Sequence, residues 1–190
     1  MRKLILLHHV SLDGLVSGPS GELDWVAHDD EMWNEVTDLL SSADTAVFGR
    51  VTYQMFESYW PAAARNPSSS QNELDFARWI EDTPKIVLSK TLERVDWKNT
   101  RLVRQDIVGE IARTKEQPGK NMLVFGGPML DSALMKFGLI DEYRFMVNPV
   151  VLGRGKPLFT GLNDRHKLRL VKTRTFGSGV VGLHYQKARR

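Results

Sequence analysis

The chain has 190 residues, 42% of them hydrophobic and 26% charged, which suits one domain (1–190) with a sizeable buried core. Its 26 basic and 23 acidic residues leave a net charge of +3, too small an excess to argue for a nucleic-acid partner. With no cysteine, disulfides, thiolate metal sites and cysteine nucleophiles are excluded, and no run approaches the roughly 20 apolar residues a membrane helix needs.

The start, "MRKLILLHHVSLDG", has a short apolar run followed by two histidines instead of a small-residue cleavage site, so a signal peptide is not expected and a cytoplasmic location is. Lys3 to Val10 reads as a strand that closes at Asp13-Gly14, with His8 and His9 pointing to opposite faces as ordinary structural histidines. After the turn-rich "SGPSGE" (17–22), a helix is expected from Trp25 to Ala43, with Asp29, Met32, Trp33 and Val36 on one face. Then come a short interior strand, "TAVF" (45–48), and a short helix from Thr52 to Tyr59. A mobile surface loop follows, "PAAARNPSSSQNE" (61–73), then a helix near Leu74–Ile80 and a second interior strand, "KIVL" (85–88).

Arg101–Val103 reads as a strand, Ile107–Lys115 as a helix, and "MLVF" (122–125) as a third interior strand leading through two glycines into a helix over Met129–Phe137. Glu142–Val147, Leu168–Thr175 and Val180–Gln186 close the chain, the last two as a hairpin across "FGSG". The stretch "VLGRGKPLF" (151–159) is a turn between closing strands that also lines a substrate mouth. The basic runs "RHKLRLVKTR" (165–174) and "KARR" (187–190) read as a solvated strand edge and a frayed tail. Alternation of strand and helix with strands at the end predicts an α/β domain whose sheet is mostly parallel with an antiparallel finish.

Two strand–glycine–helix turns carry the chemistry: "AVFGRVTY" (46–53) and "VFGGPMLDSAL" (124–134). At the second, Pro128 suits a first helical turn, but the cap position falls on Gly127, which has no side-chain oxygen. The amides of Met129 and Leu130 therefore look outward for water or an anion. Two such turns in one sheet suit a ligand with several phosphates. Arg50 follows the first glycine, Thr52 is placed to cap its helix, and "KIVL" ends in Ser89-Lys90. Hydroxyl and basic donors there, without an acid, favour NADP(H) over NAD(H). "GGPMLD" lacks a third glycine, so the site is not of the usual Rossmann kind.

These segments, "SLDG", "DTAVFGRVTYQMF" (44–56), "KIVLSKTL" (85–92), "MLVFGGPML" (122–130) and "GLIDEYRFMVNPVVLGRGKPLF" (138–159), resemble the dihydrofolate reductase-like superfamily. More narrowly, the chain is similar to the reductase domain of the bifunctional deaminase–reductase of riboflavin biosynthesis and its stand-alone relatives. The resemblance implies an eight- or nine-stranded mixed sheet with NADPH across the strand ends, and a homodimer. Carried over, Gly49, Arg50 and Thr52 meet the phosphates, and Leu88, Ser89 and Lys90 surround the adenosine 2′-phosphate. Gly126 and Gly127 form a tight pair, cis or trans, under the pyrophosphate, with Pro128, Met129 and Leu130 opening the helix. Ser11, Leu12, Asp13 and Gly14 form the loop near the nicotinamide. The deaminase signature H-x-E…P-C-x-x-C is absent from the sequence, and no metal site is expected.

Reduction of a C=N or C=O group also takes a proton. Asp29, on the apolar face of its helix, is the candidate: beside apolar rings its pKa is expected to rise, which suits a donor. As the alternative, Asp29 caps that helix. Trp25, Trp33, Phe56 and Trp60 either wall an aromatic pocket or belong to the core. Three functions follow: an NADPH-dependent reductase of a small heterocycle or carbonyl compound, the pyrimidine reductase step of riboflavin biosynthesis, and a non-catalytic NADP(H)-binding module.

Overall fold

The computed structural model describes residues 1–27 and 29–188. In chain order its elements are β1 (Leu4–Ser11), β2 (Leu15–Ser17), α1 (Asp30–Ser41), β3 (Ala43–Gly49), α2 (Arg50–Ala63), α3 (Gln71–Asp82), β4 (Lys85–Leu88) and β5 (Thr100–Val103). They continue with α4 (Ile107–Glu116), β6 (Asn121–Phe125), α5 (Pro128–Lys136), β7 (Glu142–Asn148), β8 (Lys156–Pro157), β9 (Leu168–Thr175) and β10 (Val181–Lys187). Eight strands form one sheet in the order β5-β4-β3-β6-β1-β7-β10-β9. Pairing is parallel from β5 to β7, whereas β10 runs antiparallel to both β7 and β9.

Side chains alternate across the sheet, and the helices sort accordingly. Ile5 and Leu7 of β1 share a core with Met32, Val36 and Leu40 of α1, Tyr53 of α2, and Phe76 and Ile80 of α3. Leu4, Leu6 and Val10 face the other way, onto Ile111 of α4 and Leu130 and Leu134 of α5. From β1 the chain steps to β3, then outward to β4 and β5. It returns through α4 to β6, wedged between β3 and β1, and α5 carries it on to β7. The direction of winding therefore reverses between the adjacent strands β3 and β6. Crevices outside the carboxyl ends of strands at such a reversal are where ligands collect in open α/β sheets.

Several expected boundaries move, each for a local reason. Helix α1 starts at Asp30, not Trp25, because Asp29 is extended (φ −156°) and its carboxylate caps the helix; His28, within the expected helix, lies outside the described residues. Helix α2 outlasts Tyr59 and runs through Pro61, whose missing N–H removes one rung near the helix end. Helix α3 begins at Gln71, where Ser70 and Glu73 form a reciprocal capping box, so the loop expected over 61–73 is much shorter. The stretch 151–159 is more than a turn: β8 pairs antiparallel with β2 in a small second sheet. Gly155 permits that approach, since a Cβ there would lie 2.1 Å from the Ser17 carbonyl oxygen. Strand β9 is a largely exposed sheet edge, as its basic sequence suggests; of the "KARR" tail, Arg189 and Arg190 lie outside the described residues.

Candidate functional site

The two glycine turns meet at the reversal. Strands β3 and β6 pair in register, Phe48 opposite Phe125, so Gly49 and Gly126 leave the sheet side by side. Gly49 caps α2 and Gly127 caps α5, and among the described residues neither cap makes a side-chain hydrogen bond. Both keep their leading amides free of side-chain acceptors, and each helix end carries partial positive charge toward the crevice. Thr52 corrects one expectation: it is not the cap of α2. Its hydroxyl donates across the crevice to the Gly126 carbonyl, tying the two turns together. The Gly126–Gly127 peptide is trans.

The second glycine leaves room and the first leaves none. A Cβ on Gly127 would sit 3.5 Å from Thr52 Oγ1, an ordinary contact on the open side of the turn. One on Gly126 would lie 1.8 Å from Oδ1 of Asp131, a carboxylate wedged beneath it. Asp131 is fully buried, and its Oδ2 lies 2.8 Å from His8 Nε2. Burial pushes its pKa up, while His8 and the Gly127 amide act in the opposite sense. Pro128 opens α5, Met129 is 85% exposed and Leu130 turns into the core. Exposed Leu12, Val51 and Val151 join Met129, so the segments that follow four adjacent strands, β3, β6, β1 and β7, each present an exposed apolar side chain at this rim.

Farther along the edge the donors change character. Leu88 is core, and Ser89 is buried with its hydroxyl accepting from the amides of Thr91 (3.3 Å) and Leu92 (3.0 Å), so it shapes a turn. Lys90 is exposed and lines a cleft of about 920 Å³ together with Leu102, Arg104, Gln105 and Asp106. A neighbouring cleft of about 510 Å³ is lined by Arg50, Gln54, Thr91, Leu92, Glu93 and Arg94. Arg94 and Arg104 were not singled out from the sequence. The signal was available for Arg104, which follows β5 directly, and β5 pairs with β4 so that Val103 lies opposite Leu88.

The loop after β1 is held by its acid. Ser11 Oγ donates to Asp13 Oδ1 (2.7 Å), and the same carboxylate accepts from the amides of Leu152 (3.1 Å) and Gly153 (2.8 Å). These bonds, Ser11 first, hold the Asp13 pKa at about 2. Gly14 turns the chain at φ +81° and Leu12 is left exposed. Asp13 thus clamps the 11–14 loop to the 151–155 loop.

Asp29 also departs from expectation. Its Oδ1 accepts from the amides of Glu31 (2.9 Å) and Met32 (3.1 Å), and its Oδ2 from the Ser178 amide (2.8 Å). Its pKa is lowered, chiefly by the Ser178 bond, which overturns the raised value expected of a desolvated carboxyl. The capping alternative holds, with an added link to the β9–β10 turn. Trp33, Phe56 and Trp60 pack against the core of the α1–α3 face, so the core alternative holds for them. Trp25 is half-buried, its Nε1 donating to the Glu22 carbonyl.

Residues 2–182 match the family described as the RibD C-terminal domain. The chain belongs to that family. Two Bacillus subtilis (strain 168) relatives of this RibD C-terminal domain protein are the uncharacterized proteins YyaP and YwjB. YyaP is 35% identical over 184 residues, covering 97% of this chain and 94% of its own length. YwjB is 31% identical over 188 residues, covering 98% and 99%. Among solved structures, a candidate riboflavin biosynthesis protein of Shewanella sp. PV-4 superposes with a TM-score of 0.78 at 25% identity, covering 98% of this chain and 99% of that one. A Thermotoga maritima diaminohydroxyphosphoribosylaminopyrimidine deaminase/5-amino-6-(5-phosphoribosylamino)uracil reductase gives 0.69 at 15% identity, covering 98% of this chain but 57% of its own. Enterococcus faecalis dihydrofolate reductase, complexed with NADP(H) and RAB-propyl, gives 0.63 at 15%, covering 98% and 97%. The fold is dihydrofolate reductase-like, as the sequence motifs implied. Among the described residues no helix is long and apolar enough to cross a membrane, and no cluster of His, Asp and Glu is arranged to hold a metal ion.

Proposed function

We propose that this RibD C-terminal domain protein is an oxidoreductase that uses NADPH to reduce a small heterocyclic or carbonyl substrate. The observation that carries the reading is the pairing of two helix ends without side-chain caps, Gly49 on α2 and Gly127 on α5, at the point where the strand order reverses. The residues suit the coenzyme. Arg50 and the α2 amides offer donors to a pyrophosphate, and the open side of Gly127 lets a phosphate approach the backbone. Lys90, with Arg94 and Arg104 in the adjoining clefts, supplies the positive charge a ribose 2′-phosphate needs. Bound NADPH supplies the hydride. The 11–14 loop, fixed by Asp13, and the apolar rim of Leu12, Val51, Met129 and Val151 shield the crevice from water.

Titration of the protein's tryptophan fluorescence with NADPH and with NADH tests this. Tighter binding of NADPH is expected. Equal affinities would refute the 2′-phosphate assignment, and binding of neither would remove the reading altogether.

A narrower reading, reduction of 5-amino-6-(5-phosphoribosylamino)uracil, draws on the family membership and on the name of the Thermotoga maritima protein, of which this chain spans just over half. Oxidation of NADPH on adding that pyrimidine supports it, and no oxidation counts against it. A third reading, an NADP(H)-binding module without turnover, draws on the lowered pKa of Asp29, the one candidate donor from the sequence. Turnover of any pterin, pyrimidine or activated carbonyl that Gly127→Val abolishes would exclude it. We place the protein in the cytoplasm, where NADPH is regenerated, acting on a small molecule as a homodimer in line with the family resemblance; a monomeric mass in solution would refute the dimer.

A further inference from the structure

The two helix ends at the crevice differ in charge. The first turn of α2 holds no acid and begins with Arg50, whereas the first turn of α5 holds Asp131. Asp131 is fully buried, and its Oδ1, pressed against Gly126, has no hydrogen-bond partner among the described residues. A helix end is worth about half a positive charge. An ionised Asp131 beside a neutral His8 outweighs that and leaves the α5 turn net negative, where a pyrophosphate would be repelled. With a proton on the pair, His8 and Asp131 together are neutral and the turn regains its attraction for anions.

Among the described residues, the charged groups on the neighbouring elements are engaged elsewhere. Tyr143 and Tyr185 share the α5 face of the sheet with His8 and are phenols; Tyr143 is pushed up to about 12 by burial. Lys3, Glu142, Arg144 and His184 form their own cluster, and strand alternation puts it on the opposite face. Lys115 and Asp141 pair with each other at the opposite edge of the sheet, where Asp141 also accepts from the Leu4 amide. Glu110 of α4 is taken up by Arg101 and Arg113.

We propose that His8 and Asp131 are the proton-accepting element of the α5 phosphate turn, so that dinucleotide binding draws a proton onto the pair. The inference rests on the NADP(H) reading above. His8 keeps a route for that proton, its side chain being 14% exposed while Asp131 is sealed. The raised pKa of Asp131 agrees with a carboxyl that readily shares a proton. Affinity for the dinucleotide therefore falls as pH rises, by up to about tenfold per unit over the range in which the pair loses its shared proton.

Isothermal titration of NADPH and of NADH between pH 6 and 9, each in two buffers of different ionisation enthalpy, tests this on the wild type, Asp131→Asn and His8→Gln. The wild type is expected to take up a fraction of a proton approaching one, and to bind more weakly at the alkaline end of this range than at the acid end. Asp131→Asn is expected to lose that uptake and to bind more tightly than wild type at pH 8.5. NADH, which lacks the 2′-phosphate, and the comparison between proteins remove the coenzyme's own titration from the result. Identical proton uptake in wild type and Asp131→Asn would overturn the proposal while leaving the coenzyme reading intact. Should Asp131→Asn not fold, His8→Gln decides: it retains the carboxylate without its partner, and wild-type affinity at pH 6.5 would overturn the proposal. Failure of the wild type to bind either dinucleotide at every pH would remove the coenzyme reading and this inference together.

Discussion

Thr52, in the first turn of α2, donates its hydroxyl to the carbonyl of Gly126 at the end of β6, so one side chain fixes the relative position of both uncapped helix ends. Its partner, the peptide before Gly127, is the one whose orientation aims the α5 amides into the crevice. The bond is therefore a positioning contact for a phosphate site, and its loss acts on binding before stability.

Thr52→Val keeps the shape and removes the donor. A neutral hydrogen bond contributes about 1 kcal/mol, so NADPH affinity is expected to fall about fivefold while the circular dichroism spectrum is retained. Fluorescence titration reads this directly. Unchanged affinity would show that Thr52 merely fills space.

Removing positive charge at the far end of the crevice should divide the two coenzymes. Lys90→Ala with Arg104→Ala deletes two cations from the cleft beside β4 and β5. Charge-assisted contacts are worth about 1.5–3 kcal/mol, so NADPH affinity is expected to drop at least about tenfold, with NADH affinity unchanged. Equal losses for both coenzymes would place the cations at the pyrophosphate instead.

How far the sequence revealed this site depends on what each residue touches. The glycine turns were legible because a strand ending in glycine before an uncapped helix has few other uses, and the parallel order followed from alternation. Asp131 was not: it reads as an unremarkable acid early in a helix, and its meaning comes from His8, which strand β1 brings beneath it from far away in sequence. Asp29 misled for a similar reason. Its spacing matched the apolar face of α1, yet the Ser178 amide, supplied by the distant β9–β10 turn, made it a hydrogen-bonded clamp. The start of α3 was missed although "SQNE" spells a capping box, because the surrounding Pro, Ser and Asn dominated that stretch.

The clamp predicts how Asp29 variants separate. Asparagine is as good a cap as aspartate, so Asp29→Asn is expected to keep both melting temperature and turnover. Asp29→Ala loses the cap and the Ser178 link, and its melting temperature is expected to fall by about 2–4 °C. A turnover rate abolished in Asp29→Asn at unchanged melting temperature would restore the proton-donor role.

Asp13 makes an acid-side prediction. Its folded pKa of about 2 lies below the ordinary carboxylate value of 3.8, so the folded state binds fewer protons than the unfolded one between those values. The stability it contributes is fully present above the unfolded value and is lost as pH falls through the folded one. Asp13→Asn is expected to flatten this part of the acid unfolding curve and to slow turnover by loosening the 11–14 loop. An acid limb identical to wild type would mean that the loop is held by the β2–β8 pairing alone.

Lys85 governs the alkaline side, at the start of the strand that ends in Ser89 and Lys90. Its ammonium is buried and donates to the carbonyls of Ile80 (2.7 Å), Thr83 (2.8 Å) and Glu81 (3.3 Å), and it lies 4.5 Å from the centre of the Trp97 ring. Burial, opposed by Glu81, brings its pKa down from 10.5 to about 8. Between those values the unfolded chain binds more protons than the folded one, so this group makes stability rise as pH increases from about 8 to 10.5. Tyr53 and Tyr143, both raised to about 12 by burial, reverse the trend above their ordinary value of 10. Lys85→Met leaves the carbonyls of Ile80 and Thr83 without their donor and is expected to lower stability at pH 7, while removing the rise from pH 8 to 10. Denaturant melts at unit steps of pH read both effects, and a variant with the wild-type slope would assign that titration to another group.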